Sequence, residues 1–211
     1  MIHKRPIFLW DLHEVVFCKS WRQLLHVVLT CDAKKNVFAQ LPKSLIALCK
    51  RRLFNHSRKG ISVADLIYIA KTENNKKLMD FVFNICCAYR PMPRTVAIIQ
   101  SLRQQGFTNH IGSNIARPIF DQFKEEHQDV FSLFDYAHVV DVASYDQVIQ
   151  KPDPLFFNSY LEIHNVQPSD VIFIDNKKRN INTASRIGLH TIHFKRASQL
   201  RRDLKRFNVI V

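Results

Sequence analysis

Glycine is scarce in this chain, with 4 residues in 211, which argues against long flexible linkers and against repeats built on tight turns. No internal repeat and no low-complexity segment is present. Acidic residues are also in short supply. Asp and Glu number 18 against 31 Lys and Arg, a formal net charge of +13. A surplus of that size raises the local concentration of anions. Phosphorylated metabolites, nucleic acid and acidic lipids are candidate partners, beside the plain alternative of a basic surface with no dedicated partner. The cysteine count is odd, at five, and no pair has zinc-finger spacing. Cys86 and Cys87, adjacent in an apolar helical stretch, read as buried free thiols of a reducing compartment. No run approaches the ~20 apolar residues of a membrane span. The apolar run within "MIHKRPIFLW" is too short for a signal peptide. The expectation is a cytoplasmic protein with no membrane partner.

What is abundant is apolar: 46% of the residues, including 16 Phe, enough to build a core. Three short apolar runs end in a polar residue: Ile7 to Trp10 before Asp11, His110 to Gly112 before Ser113, and Val171 to Ile174 before Asp175. Runs of this length, apolar on both faces, suit strands of a buried parallel sheet. Tyr136 to Val142 and His190 to Phe194 are further strand candidates. Helical spacing lies between them. Thr95 to Gln105 is stopped by Gly106, Pro154 to His164 starts from Asp153 as N-cap, and Asn180 to Ile187 is stopped by Gly188. This alternation predicts a three-layer α/β/α, Rossmann-like parallel sheet. The segment from Cys18 to Tyr89 breaks the rhythm and reads as four or so helices inserted after the first strand. The expected organisation is therefore a core of residues 1–17 and 90–211 with an all-helical cap at 18–89.

In an open parallel sheet, ligands bind beyond the carboxyl ends of the strands. Asp11, Ser113 and Asp175 all fall there, and Lys151 precedes "PDP" on a loop that enters a helix. A carboxylate nucleophile, a hydroxyl, an ammonium and an acidic metal-site candidate suit phosphoryl transfer, which needs a nucleophile, charge neutralisation and orientation.

Four stretches, "FLWDLHEVV", "HIGSN", "QKPDPLFF" and "VIFIDNKKRNINTASRIGLH", occur in an order that resembles the haloacid dehalogenase superfamily of hydrolases. The likeness covers nearly the whole chain and is greatest to the subgroup with a small helical cap inserted after the first motif. It implies Asp11 as the nucleophile that forms an aspartyl-phosphate. Ser113 and the backbone near Asn114 would hold the transferring oxygens, and Lys151 would neutralise charge. Asp175, Asn176, Asp11 and the main-chain carbonyl of His13 would bind Mg2+, with Asn180 as a buttress. This chain departs from the pattern at three places. His13 stands where the family's phosphatases place an acid/base aspartate, Glu14 replaces a turn glycine, and Asn176 replaces a metal-binding aspartate. Imidazole titrates near pH 6.5 and can give or take a proton, so His13 is a candidate substitute for the missing acid.

The reading is a magnesium-dependent phosphatase of a small phosphorylated or otherwise anionic substrate. Basic cap residues Arg51, Arg52, Arg58 or Lys59 are candidates to bind that substrate. Two alternatives stand beside it: a metal-independent 2-haloacid dehalogenase using the same Asp11, and a catalytically degenerate binding or regulatory protein. Each site residue also has a plain structural reading. Asp11 is a possible cap or turn residue, Ser113 and Asp175 are possible caps, and Lys151 a possible solvated loop lysine. His110, His138, His190 and His193 lack ligand spacing. Arg201, Arg202, Lys205 and Arg206 read as a solvated face rather than a nucleic-acid contact, because no aromatic residues interleave with them.

Overall fold

The computed structural model describes residues 5–20, 88–140 and 149–211, with Arg22, Asn74 and Asn84 as single positions. The chain divides into two compact units. One is Met1–Cys18, Arg90–Asp141 and Gln147–Val211; the other is Lys19–Tyr89 and Val142–Asp146. The second lies almost wholly outside the described residues, as do the inserted helices expected there, Cys31, Cys49, Cys86, Cys87, Arg51, Arg52, Arg58 and Lys59.

The first unit is built on a parallel sheet. Its strands are β1 (Ile7–Trp10), β4 (Asn109–Ala116), β5 (Tyr136–Val140), β6 (Val171–Asp175) and β7 (His190–His193), in the order β5-β4-β1-β6-β7. Two short strands, β2 (Phe17–Lys19) and β3 (Tyr89–Pro91), form a separate two-stranded sheet. Each apolar run read as a strand contains one; β5 is described to Val140, with residues 141–142 outside the described residues, and β7 stops at His193, one short of the expected Phe194. The second run is longer than expected: β4 continues through Ser113 to Ala116, so Ser113 lies inside a strand and not just past its end.

Helices flank the sheet. α1 (Pro93–Gln104) starts two residues before the expected Thr95, because Pro93 presets the backbone of the first turn. The chain leaves it at Gly106, whose φ of +79° few other residues adopt. α2 (Arg117–Glu126) and α3 (Gln128–Phe131) are elements that sequence reading passed over. Their Phe123 and Phe131 gather around Phe17, with ring centroids 4.6 and 5.6 Å away. α4 (Pro154–His164) has the expected start, with Asp153 accepting from the Leu155 amide at 2.9 Å. α5 (Lys178–Ile187) ends at Gly188, and α6 (Ala197–Leu204) closes the series. The basic run continues past α6 as a 3-10 turn, Lys205–Phe207, and Arg201, Arg202, Lys205 and Arg206 are all exposed, as a solvated face would be.

On one side of the sheet, Leu9 and Phe173 pack with Phe156, Phe157 and Tyr160 of α4 and with Ala184 of α5. Strand alternation sends Phe8 and Trp10 to the other side. There Phe8 meets the Phe107 ring edge-on at 5.4 Å, and the Trp10 indole donates to Asn109 Oδ1 at 3.0 Å. No described helix is long and apolar enough to cross a membrane.

Candidate active site

Register places the acids. Trp10 aligns with Ile174 on β6 and with Ile111 on β4. The next residues, Asp11, Asp175 and Gly112, therefore lie side by side across three adjacent strands, Asp11 just past the end of β1, Asp175 at the end of β6 and Gly112 within β4. The Asp11 amide extends the ladder by donating to the Ile174 carbonyl at 2.9 Å. Lys151 reaches in from the loop before α4. Its Nζ donates to Asp11 Oδ1 at 2.9 Å, to Asp175 Oδ2 at 2.9 Å and to the Gly112 carbonyl at 2.5 Å. An ammonium has three protons to give, and all three are used here. Lys151 is 2% exposed, Asp11 4% and Asp175 0%, which disposes of the solvated-lysine reading. Burial pulls the ammonium down, but Asp11 and then Asp175, by charge and by hydrogen bond, outweigh it and raise Lys151 above the ordinary lysine value. The lysine is charged.

Neighbours hold this arrangement in place. The Asn114 side chain grips the Lys151 backbone at both ends, accepting from its amide and donating to its carbonyl, each at 2.8 Å. Asn180 Nδ2 donates to Asp175 Oδ2 at 2.8 Å, and the Lys177 amide to Asp175 Oδ1 at 2.7 Å. The rings of Phe173 and Phe156 stand 5.1 and 5.9 Å from the ammonium, so part of its dry surface faces π electrons. Asn114's clamp, Lys177 and the two Phe rings were not anticipated as site components; only the small residue within "HIGSN" hinted at a close approach. The hint has a steric cause: a Cβ on Gly112 would sit 2.9 Å from Leu9 Cδ1.

The remaining candidates differ in state. Ser113 is buried, and its Oγ has no hydrogen-bond partner among the described residues. The cap reading fails for it, because the N-cap of α2 is Ala116. Asp11 precedes a turn and not a helix, and the N-cap of α5 is Lys177 and not Asp175. Asn176 Oδ1 and Asn180 Oδ1 are likewise buried without a partner among the described residues, while the Asn176 carbonyl accepts from His193 Nε2 at 3.0 Å. His13 lies beside this group, partly buried. Desolvation lowers its pKa below the usual 6.5; Asp11 opposes that, and Lys177 and Lys151 add to it. Glu14 has a φ of +62°, the left-handed backbone that a glycine takes without strain.

An orphaned buried hydroxyl suits an anionic oxygen, and an orphaned amide oxygen suits a cation. Among the described residues, no group of three or more His, Cys, Asp and Glu converges as a metal site. The reason is chemical: position 176 carries an amide, which leaves two carboxylates. Two carboxylates and a neutral oxygen are still hard donors of the kind that magnesium takes.

Comparison with known proteins points to one family and one fold. A sequence model described as haloacid dehalogenase-like hydrolase matches residues 39–194, which include Ser113, Lys151 and Asp175. A sesquiterpene phosphatase of Aspergillus oryzae is 30% identical over 104 residues, 49% of this chain. The match spans half the length of that relative, 50%. Among solved structures, a predicted HAD-like family hydrolase from Porphyromonas gingivalis is similar with a TM-score of 0.60 at 17% identity, covering 97% of this chain and 98% of its own. A HAD family enzyme from Bacteroides thetaiotaomicron, in complex with magnesium and inorganic phosphate, gives 0.58 at 16% identity over 90% of this chain and 94% of its own. A dehalogenase gives 0.58 at 14% identity over 93% and 87%.

Proposed function

The chain belongs to the haloacid dehalogenase-like hydrolases, and from that premise we propose that it is a magnesium-dependent phosphatase of a small phosphate monoester. The observation that carries this is the Lys151 ammonium held between Asp11 and Asp175, with the hydroxyl of Ser113, the residue after Gly112, buried and without a partner among the described residues. One Asp11 oxygen attacks phosphorus, and the bond from phosphorus to the ester oxygen breaks. The alkoxide leaves with the electron pair and takes a proton from solvent. Lys151 neutralises charge on the reacting oxygens, and Ser113 with the backbone near Asn114 orients them. Asn180 keeps Asp175 in position. When bound, magnesium supplies further positive charge at the phosphoryl group, held by Asp11, Asp175, Asn176 and the main-chain carbonyl of His13. Water then attacks the aspartyl-phosphate, its proton passes to His13, and phosphate leaves with Asp11 restored. A neutral imidazole is the form that this second step needs, and the lowered His13 pKa supplies it.

The same proposal makes residues 18–89 a helical cap, and places the protein in the cytoplasm. The substrate is a small phosphorylated anion. The A. oryzae relative makes a sesquiterpenyl phosphate the natural first ester to try.

One assay tests the reading against its rivals. An aryl phosphate, with magnesium or with chelator, and a 2-haloacid are offered to wild type and to Asp11→Asn. Phosphate release that needs magnesium and disappears in Asp11→Asn is expected. Halide release insensitive to chelator would instead make it a dehalogenase, and a folded protein inert to both a binding protein. For His13, the rate should fall as pH drops through a value below 6.5. His13→Gln should remove that limb and cost ~10²- to 10⁴-fold in rate. An unchanged profile sinks the proton-acceptor role.

A further inference from the structure

Away from the catalytic carboxylates, the first unit contains a cavity of about 600 Å³, in the size range of pockets that enclose small organic ligands. Asp11, Ser113, Lys151 and Asp175 take no part in its lining. It opens where the N-terminal ends of α1 and α6 come together, two helices that pack on each other. Neither first turn contains an acidic residue, and neither N-cap residue, Met92 or Arg196, provides a side-chain cap. First-turn amides are therefore left without side-chain acceptors, and both helix dipoles present their positive ends.

The charges around this opening run against that field. Arg90, Arg94, Lys195 and Arg196 line it, all exposed, and no carboxylate does. Among the described residues none of the four has an ion-pair partner. Helix N-termini favour anions and disfavour cations, so four cations there stand against local preference. An unrelieved conflict of this kind is expected where function demands it. Thr95 in the same wall is fully buried, and its Oγ1 has no hydrogen-bond partner among the described residues. Pro91, Met92, Pro93 and Ala197 supply apolar surface, and Cys18 and Ser198 complete the lining. A polymeric anion calls for an extended basic track along its phosphates. A concave site with a cationic rim and an apolar wall fits a compact amphiphile instead.

We infer that this cavity is a second ligand site, separate from the Asp11 crevice, for a small organic anion. A phosphate- or sulfonate-like head would meet Arg94, Arg196 and the two helix ends, and its apolar body would lie against Pro91, Met92 and Ala197. Calorimetric titration of 2-naphthalenesulfonate into the full-length Asp11→Asn protein tests this without turnover, so its outcome does not depend on the phosphatase reading. One saturable site is expected, with 2-naphthalenemethanol and inorganic sulfate each binding at least about tenfold more weakly, as loss of charged hydrogen bonds or of apolar contact requires. Arg94→Glu/Arg196→Glu, both at exposed positions, should abolish binding while the circular dichroism melting curve stays as in wild type. Absence of saturable binding overturns the inference. So does equal binding of either partial analogue, or binding that survives the double charge reversal and is lost in Lys151→Met.

Discussion

Replacing Lys151 with methionine would leave Asp11 and Asp175 facing each other in a dry site with no cation between them. Breaking a buried pair in this way typically costs about 3–5 kcal/mol, and loss of a preorganised charge at least ~10²-fold in rate. Lys151→Met should therefore lower the urea midpoint and kcat/KM together. Added magnesium should recover part of the midpoint, because a divalent cation can take the place of the ammonium between the acids. Glu14 presents a subtler case. Its φ of +62° burdens any residue with a Cβ, so Glu14→Gly should be more stable than Glu14→Ala by about 1 kcal/mol in urea unfolding. Comparing the two variants removes the glutamate side chain from both and isolates the backbone. Equal stabilities would mean that the turn readjusts at no cost.

At the scale of elements, the β1–β4 contact turns on one missing Cβ. Gly112 is tolerated in mid-strand because Leu9 Cδ1 fills the space where its side chain would go. Gly112→Ala should cost about 1–3 kcal/mol by overpacking, and less in a Leu9→Ala background, where the space is already open. A double-mutant cycle of urea midpoints measures the coupling; additive losses would place the strain elsewhere. Several elements were readable in advance. β1 and β6 were plain as short apolar runs before an acid. α4 was plain because Asp153 and Pro154 form a standard start, and the end of α5 because Gly188 takes a φ of +101°. α2 and α3 were not read: the aromatic residues that define them are spaced to meet Phe17, a partner far away in the chain. The full length of β4 was missed because its last residues owe their extended state to pairing with β5, through an irregular register between Ser113 and Ala116.

For the molecule as a whole, one buried and one half-buried histidine, both packed against α4, couple stability to pH. Burial first, then the charge of His164, lowers His110 to about 4, with Asp135 opposing; burial chiefly lowers His138 to about 4. The His110 Nδ1 lies 2.9 Å from the Tyr160 hydroxyl, and the His138 Nε2 3.3 Å from the Ser159 hydroxyl. Both pKa values lie below the unfolded value of 6.5, so the unfolded chain binds more protons between pH 6.5 and about 4. The stability contributed by neutral histidine is complete above pH 6.5 and is lost as pH falls through that window. Urea midpoints from pH 7.5 to 4.5 should decline, and His110→Gln/His138→Gln should flatten the decline. A flat wild-type curve would mean that these rings titrate while folded at no cost.

Sequence alone was enough to identify the alternating α/β plan and to single out Asp11, Lys151 and Asp175, which meet in the structure, because local apolar runs, turn residues and caps act over a few neighbours. It was also enough to mark His13, Glu14 and Asn176 as departures, since residue identity is chemical information that needs no fold. Tertiary structure alone decided that Lys151 is spent on three buried acceptors, that Asn114 holds the lysine's backbone, and that burial lowers the His13 pKa. It alone brought the ends of α1 and α6 together around one cationic cavity. These features arise from desolvation and from charges distant in the chain but adjacent in space, quantities that have no value until the strands are in register.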